Sequence, residues 1–161
     1  MLETDKITIH LSAEKDLPAV IKIEKENSEF VEQYDLDRHR KVISDPDELH
    51  LSIFSKADNQ FVGYIILAGF SGLNESIEFR RIAISKKGLG YGRDALKLTK
   101  KLCFENQRKN RLWLDVFEEN KRAIGLYESE GFVKEGLLRD CVKQGEKYKS
   151  LWIMSILSKE I

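Results

Sequence analysis

The sequence predicts a single mixed α/β (α+β) domain, residues 1–161, built on one mostly antiparallel twisted sheet with helices on both faces. Three observations predict this class. Strand-like segments are more numerous than helical ones, and three consecutive strands are joined by short loops, as in an antiparallel meander. A segment of helical periodicity then separates two further strands, which allows one parallel crossover. The length of 161 residues is that of one ordinary domain.

The first part of the chain predicts one strand and two helices. Lys6–Leu11 alternates apolar and polar residues, as a half-buried strand does. A helix is expected from Leu17 to about Asn27, with Asp16 as its N-cap and Pro18 tolerated in its first turn. A second, short helix is expected near Leu36–Ile43.

The middle of the chain predicts the three-stranded meander. Leu49–Lys56 and Phe61–Phe70 read as strands joined by the polar turn 57–60. A third strand, Ser76–Ser85, follows a loop that contains glycine and asparagine.

The last part of the chain alternates helices and strands. Apolar residues recur at helical spacing in Arg93–Gln107, and Arg111–Phe117 is the next strand. Asn120 is expected to cap a short helix that Gly131 ends in a left-handed conformation. The closing hairpin comprises Phe132–Leu138 and Lys149–Leu157.

Composition excludes several classes of protein. Hydrophobic residues make up 42% and charged residues 34%, which is too apolar for a disordered chain. The 27 basic and 27 acidic residues cancel, so a uniformly basic nucleic-acid binder is not expected. No apolar run approaches the ~20 residues of a membrane span, and the N-terminus lacks a signal-peptide pattern. Cys103, Cys141 and three scattered histidines have no zinc-site spacing, so no metal is expected. We therefore expect a cytoplasmic protein with free thiols.

The charges are nevertheless unevenly distributed. Residues 1–50 contain 13 acidic and 7 basic residues, a net charge of −6. Residues 86–111 contain 9 basic and 2 acidic residues, a net charge of +7. This separation suits a protein that binds an anionic ligand with one segment and a cationic ligand with the other.

A glycine-rich loop, Lys86–Arg93, lies between the third meander strand and the following helix. Its three glycines permit positive φ angles, and the first turn of the helix offers unpaired N–H groups to an anion. Lys86, Lys87 and Arg93 add positive charge. A phosphate ligand is therefore expected, although a simple glycine-rich turn would also explain the pattern. Neither GxGxxG nor a Walker motif is present.

Three segments together resemble one family. Lys87–Gly92 is similar to the acetyl-CoA pyrophosphate loop Q/R-x-x-G-x-G/A of the GNAT superfamily of N-acetyltransferases, with lysine at the first position. Asn120–Phe132 resembles its N-x-x-A-x-x-L-Y-x-x-x-G-F segment. The continuation Gly131–Arg139 resembles G-F-x-x-E-G-x-x-R of the branch that holds spermidine and ribosomal-protein N-terminal acetyltransferases. The resemblance covers about residues 78–157.

The resemblance implies a GNAT-like acyl-CoA N-acyltransferase fold and acetyl-CoA as co-substrate. In that family the strand before the loop splays from its neighbour and pairs its backbone with the pantetheine arm. The positions implied to bind the cofactor are Ile82, Ala83, Ile84, Lys87, Gly88, Leu89, Gly90, Tyr91, Gly92, Arg93, Asn120 and Ala123.

Two residues are candidates for acid–base chemistry. The family places a tyrosine at the position of Tyr127 near the CoA sulfur, so Tyr127 is the expected general acid, and a packed core tyrosine is the alternative. Glu78 is the expected base, because period two puts it on the same face as Ile82. A carboxylate paired with Arg80, a water chain, or Asp115 as the base are the alternatives.

The expected activity is direct acetyl transfer from acetyl-CoA to a primary amine. Residues 24–37 contain six carboxylates and one lysine, which favours a polyamine, an aminoglycoside or a protein N-terminus as acceptor, and Glu24 is a candidate contact. A non-catalytic acyl-CoA sensor is the alternative function. No nucleic-acid or membrane partner is expected, and a homodimer is left open.

Overall fold

The computed structural model describes residues 1–161. In chain order the strands are β1 (Leu2–Glu3), β2 (Ile7–Leu11), β3 (Glu48–Ser55), β4 (Phe61–Ala68), β5 (Ser76–Ile84), β6 (Arg111–Phe117), β7 (Val133–Gln144) and β8 (Lys147–Leu157). The α-helices are α1 (Leu17–Glu26), α2 (Leu36–Ser44), α3 (Tyr91–Lys101) and α4 (Lys121–Ser129). Short 3₁₀ turns precede α1 and end the chain.

The eight strands form one mixed sheet in the order β1-β2-β3-β4-β5-β6-β8-β7. Every neighbouring pair is antiparallel except β5 and β6, which are parallel and are connected through α3. The predicted meander is β3-β4-β5, and the predicted crossover is the β5-α3-β6 unit. The sequence-based fold class is therefore confirmed.

Helices cover both faces of the sheet, and each face has its own apolar core. The larger core packs α3 and α4 against the sheet and includes Ala95, Leu96 and Ile124. The smaller core packs α1 and α2 against the opposite face and includes Leu17, Val20 and Val42. None of the helices is both long and apolar enough to cross a membrane.

Three local features differ from the sequence-based expectation. Asp16 does not cap α1; its carboxylate instead accepts a hydrogen bond of 2.8 Å from the Ala13 N–H and so closes the preceding 3₁₀ turn. The helix α3 begins at Tyr91, two residues before the predicted start, and continues as a π-helical turn over Leu102–Asn106. The closing hairpin is longer than predicted, because β7 extends to Gln144 and β8 starts at Lys147.

A β-bulge divides β5 into two halves. The pairing with β4 runs from Ile66 opposite Arg81 directly to Leu67 opposite Phe79, so Arg80 is an extra residue. An extra residue shifts the alternation of side chains between the two faces. Phe79 accordingly lies in the larger core, whereas Ala83 lies in the smaller one. The side chains of Arg80 and Arg81 thus point to the same face, the one covered by α1 and α2.

Candidate active site

The parallel strands β5 and β6 separate after a short region of pairing. Their register contains three pairs and ends at Glu78 opposite Trp113. Beyond these pairs, β5 stays paired with β4 as far as Ile84, and β6 stays paired with β8 as far as Phe117. The result is a V-shaped opening in the middle of the sheet.

Backbone groups of β5 line this opening. The Ser85 N–H donates to the Val62 carbonyl at 2.9 Å, and antiparallel partners exchange hydrogen bonds at every second residue. Ala83 therefore pairs with Tyr64 of β4, whereas the peptide groups of Ile82 and Ile84 face the opening. A ligand in the opening can hydrogen-bond to these two residues as an additional strand would.

The glycine-rich loop lies at the end of β5. Gly88 and Gly90 have φ angles of +87° and +85°, which L-residues with side chains adopt at a cost. The first hydrogen bond of α3 is donated by the Asp94 N–H to the Gly90 carbonyl, and the N–H groups of residues 87–93 donate to no acceptor within the protein. Such a row of unpaired N–H groups at a helix N-terminus is an anion-binding site.

The cations of the loop have different partners. Lys86 pairs with Asp58 at 3.3 Å, and Arg93 pairs with the buried carboxylate of Glu130 at 2.6 Å. A contact between the Arg93 side chain and a phosphate stays a prediction, since the guanidinium is paired with Glu130 in this structure, and its backbone N–H is available. Lys87 makes no ion pair. Lys6, the residue before β2, reaches the loop with its Nζ 3.4 Å from the Leu89 carbonyl, and no sequence pattern had indicated it.

Helix α4 lies beside the first turn of α3. The Asn120 side chain accepts a hydrogen bond of 3.2 Å from the Ala123 N–H, which confirms the predicted cap. A Cβ at Gly92 would lie 3.6 Å from a methyl group of Leu126, so the two helices approach each other closely there. A contact of Asn120 or Ala123 with the cofactor stays a prediction.

Tyr127 lies on α4 with only 7% of its surface exposed. Its ring contacts Phe79 of β5 in a T-shaped arrangement at 6.4 Å and Phe132 at 5.8 Å. Burial, together with the negative charge of Asp115, raises the pKa of its hydroxyl above the usual range. The side chain is therefore a neutral hydrogen-bond donor at physiological pH, and it packs in the larger core as well.

Glu78 and Asp115 form a pair of carboxylates on the two sides of the opening. Glu78 is half-buried and binds Arg80 at 2.8 Å, as one of the alternatives anticipated. Burial and the charge of Asp115 raise the pKa of Glu78 nonetheless. Asp115 is exposed to solvent on one side. Partial desolvation by the surrounding protein raises its pKa, and the positive charge of Arg81 partly offsets this increase.

The bulge corrects the argument that selected Glu78. Glu78 precedes the extra residue and Ile82 follows it, so the two side chains lie on opposite faces of the sheet. Glu78 shares its face with Arg80, which binds it directly, and with Asp115. The candidate base thus belongs to the α1–α2 side of the opening, opposite the side on which Tyr127 packs.

Glu24 is buried and does not line a surface that an acceptor could reach. Its carboxylate, 1% exposed, accepts hydrogen bonds from the Tyr64 hydroxyl at 2.5 Å and from the Tyr34 N–H at 2.9 Å, and it pairs with Arg81 at 3.0 Å. His39 Nε2 lies 3.2 Å away. Burial alone would raise the pKa of Glu24, but these hydrogen bonds lower it. The proposed acceptor contact at Glu24 is therefore corrected to a structural role.

The other five carboxylates of residues 24–37 are exposed. They are Glu26, Glu29, Glu32, Asp35 and Asp37. Residues 27–35 join α1 to α2, and we call them the acceptor-side loop. Phe30 of this loop contacts Phe117 of β6 with ring centroids 6.3 Å apart, so the loop reaches across the sheet to the strand that carries Asp115.

Cys103 and the metal-ligating residue types of the chain are the last features of the sequence to be placed. Cys103 is buried, and burial raises the pKa of its thiol to about 12, which suits core packing and not a nucleophile. No group of three or more histidine, cysteine, aspartate or glutamate side chains is arranged to hold a metal ion.

The mixed sheet, opened between two parallel strands and followed by an anion-binding glycine loop, defines the class of acyl-CoA N-acyltransferases. The unpaired N–H groups of the loop fit a pyrophosphate, and the opening fits the extended arm attached to it. The Acetyltransferase (GNAT) family model matches residues 17–132, and the chain belongs to this family. It is an acetyl-CoA-dependent N-acetyltransferase.

Two curated relatives are similar to most of the chain. Probable N-acetyltransferase YjcK of Bacillus subtilis (strain 168) is 23% identical over 158 residues, 86% of each chain. Spermidine N(1)-acetyltransferase of Vibrio cholerae serotype O1 is 28% identical over 109 residues, which cover 67% of this chain and 63% of that relative.

Solved structures share the fold. A chimera of the Vibrio cholerae spermidine N-acetyltransferase SpeG and hSSAT superposes with a TM-score of 0.86 at 25% identity, covering 95% of this chain and 96% of the other. Spermidine N-acetyltransferase from Vibrio cholerae in complex with CoA and spermine has a TM-score of 0.87 at 23% identity and 98% coverage of both chains.

Sequence reasoning missed the part that Arg81 has in the site. The signal was present: Arg80 and Arg81 are consecutive charged residues in a strand whose polar and apolar residues alternate up to that point. Such a break in alternation is typical of a bulge. This break would have indicated that the side chains after the bulge change faces, and that both arginines lie on the α1–α2 side.

We expect Gly90→Val to weaken CoA binding without unfolding the protein. A β-branched residue at φ +85° costs roughly 1–2 kcal/mol, and relaxation of the loop would misalign its N–H groups. The dissociation constant for CoA, measured by calorimetry, should rise by about tenfold or more. Gly136→Val is the matched control, because Gly136 has no positive φ and no neighbour near a new Cβ. Equal affinity in both variants would contradict the assignment of the loop.

Proposed function

We propose that the chain, acting as one domain over residues 1–161, acetylates a primary amine of a polyamine. A protein N-terminal amine is the other acceptor compatible with the sequence motifs. The observation that carries the proposal is the pair of carboxylates Glu78 and Asp115 at the opening, beside the acceptor-side loop with three further exposed acidic residues, Glu29, Glu32 and Asp35. A polycation is attracted to such a surface at several points simultaneously.

The relatives support a polyamine over a peptide. The curated Vibrio cholerae relative is named for spermidine, and the structure that superposes over 98% of this chain contains CoA and spermine. The identity is low, so the choice of acceptor depends on the charge of this chain's own site.

Different residues of this chain bind the cofactor and polarise the thioester. The loop N–H groups of residues 87–93 hold the pyrophosphate, and the peptide groups of Ile82 and Ile84 hold the pantetheine arm and polarise the thioester carbonyl. Positioning of the two reactants supplies much of the acceleration. The amine nitrogen then bonds to the acetyl carbon while the bond from that carbon to sulfur breaks.

Two side chains move the protons. Glu78, whose raised pKa makes it a better proton acceptor than an ordinary glutamate, takes a proton from the ammonium group of the acceptor. Asp115 holds the same cationic group in place. Tyr127, protonated when the reaction starts, donates its hydroxyl hydrogen to the thiolate that leaves. The second proton lost by the amine nitrogen passes through solvent to the resulting tyrosinate and restores the hydroxyl, and Glu78 releases its own proton to solvent. No metal ion takes part in this scheme.

Further features of the protein remain proposals. We place it in the cytoplasm and expect neither a nucleic-acid nor a membrane partner. Self-association, with a homodimer as the smallest assembly, is supported by a structural neighbour described as dodecameric, the spermidine N-acetyltransferase from Vibrio cholerae at TM-score 0.83 and 24% identity.

The decisive experiment measures CoA release from acetyl-CoA with a panel of amines. The panel contains spermidine, spermine, putrescine, an aminoglycoside and peptides with free N-termini. We expect the highest kcat/KM with spermidine or spermine, because their spaced charges match several carboxylates. Higher activity with peptides would mean that the acceptor is a protein N-terminus and not a polyamine. A lack of turnover with every amine of the panel would contradict the proposed acceptor classes.

The alternative of a non-catalytic acyl-CoA sensor is set aside, because the chain is an N-acetyltransferase of the GNAT family.

A further inference from the structure

The guanidinium of Arg81 joins the acceptor-side loop to the sheet. Its Nη1 lies 3.0 Å from Glu24 of α1, and its Nη2 lies 3.4 Å from Glu32 of the loop. The ring of Tyr34, also in the loop, covers the guanidinium at 3.8 Å from its centre. The Arg81 side chain is only 7% exposed, so these contacts largely enclose it.

The bulge in β5 explains why an arginine stands at this position. Because Arg80 and Arg81 point to the same face, they serve different partners on that face. Arg80 binds Glu78 and Glu48, whereas Arg81 binds the elements that cover the sheet. Arg81 is therefore the residue of β5 that connects the strand of the opening with the loop above it.

The other end of the loop fixes its position over β6. Phe30 packs against Phe117, two residues after Asp115 in the same strand. The loop is thus held at two points, by Arg81 on β5 and by Phe117 on β6, and it spans the strands that carry Glu78 and Asp115. Its distance from the sheet determines the width of the space available to an amine.

We infer that Arg81 is a positioning residue that sets the affinity for the acceptor amine by fastening the acceptor-side loop over Glu78 and Asp115. This inference rests on the proposed function of the site. It assigns to Arg81 no contact with the reacting atoms. Loosening the loop raises the KM for the amine, while kcat at saturating amine and the KM for acetyl-CoA stay unchanged.

An arginine suits this task better than a lysine. Its planar fork reaches two carboxylates in different directions, and its flat face stacks on an aromatic ring. Glu24 is itself held by Tyr64 and His39, so the fork is anchored to a fixed point inside the protein. Arg81→Lys keeps one charge contact and loses the second contact and the stacking.

The first test compares two loop variants that remove the same charge. Glu32 contacts Arg81, whereas Glu29 makes no ion pair, and both are exposed in the same loop. We expect Glu32→Gln to raise the amine KM by about two- to fivefold, the range of an exposed ion pair, and Glu29→Gln to raise it by less. Equal increases would mean that the loop acts only through its overall charge, and the inference would be overturned.

The second test changes the aromatic cover. Tyr34→Phe retains the ring over Arg81 and should leave the amine KM unchanged, because the Tyr34 hydroxyl has no hydrogen-bond partner. Tyr34→Leu removes the stacking and should raise the amine KM by about fivefold. Arg81→Lys should raise it by about tenfold. An unchanged KM in both Tyr34→Leu and Arg81→Lys would contradict the inference.

Limited proteolysis measures how firmly the acceptor-side loop is held, independently of activity. A glutamate-specific protease can cut after Glu26 or Glu29, and cleavage there should be faster in Tyr34→Leu and Arg81→Lys than in the wild type at equal global stability. If the wild type acetylates no amine, the proposed function fails. If the wild type is active and these variants match it in KM and cleavage, only the role of Arg81 fails.

Discussion

Replacing Tyr127 by phenylalanine is expected to lower kcat by about 10²-fold or more, the contribution of a positioned general acid. The change removes only the hydroxyl, so the ring contacts with Phe79 and Phe132 remain. The KM for acetyl-CoA and the melting temperature should both stay close to those of the wild type. Steady-state kinetics at saturating spermidine measure the effect.

The same variant distinguishes the two roles available to a buried tyrosine. A residue that only fills the core would lose nothing in the change to phenylalanine, and kcat would be unchanged. Tyr148→Phe provides a control for the loss of a tyrosine hydroxyl, because Tyr148 is exposed in β8 and outside the site. A wild-type rate for Tyr127→Phe across the pH range would remove Tyr127 from the mechanism.

Replacing Glu78 by glutamine is expected to lower kcat/KM for the amine by about 10²-fold at neutral pH. A carboxylate accepts a proton only when it is ionised, so activity should fall as the pH falls below the pKa of Glu78. Because that pKa is raised by burial and by Asp115, the acidic limb of the wild-type profile should lie above the usual range of a glutamate. The limb should disappear in Glu78→Gln.

Asp115→Asn tests the same assignment from the other side of the opening. Removing the neighbouring negative charge lowers the pKa of Glu78, so the acidic limb should move to lower pH. The KM for the amine should rise, because one cation-binding carboxylate is lost. If Glu78→Gln kept the acidic limb and Asp115→Asn abolished it, Asp115 would be the base. A limb that neither variant moves would indicate proton transfer through water.

The sequence predicted the sheet because the periodicity of its residues changes where the structure changes. The residue types of Leu49–Lys56 and Phe61–Phe70 and the polar turn between them identified the central strands, and the helical spacing after Arg93 identified α3. The motifs around Gly90 and Tyr127 located the cofactor side. These features are local, so a single sequence contains them.

The acceptor side was harder to predict because it depends on contacts between distant residues. Glu24 looked like one of six equivalent carboxylates, and its burial follows from Tyr64 and Arg81, which are 40 and 57 positions away. Arg93 looked free because its partner Glu130 is 37 positions away, at the C-terminal end of α4. Periodicity cannot show such pairs.

The extra residue at Arg80 has a consequence for how this chain tolerates insertions and deletions. In the turn between β3 and β4 a change of length would affect only an exposed connection. In β5 the insertion of one residue after Arg81 would exchange the two faces of everything that follows, and would turn Ile82 and Ile84 toward the small core and Ala83 toward the large one. Deletion of Arg80 would instead restore regular pairing with β4 and leave those faces unchanged, at the loss of the contacts with Glu78 and Glu48. Engineering of acceptor preference should therefore treat Glu78, Arg80 and Arg81 as a module in which side chains can be exchanged but no position can be added.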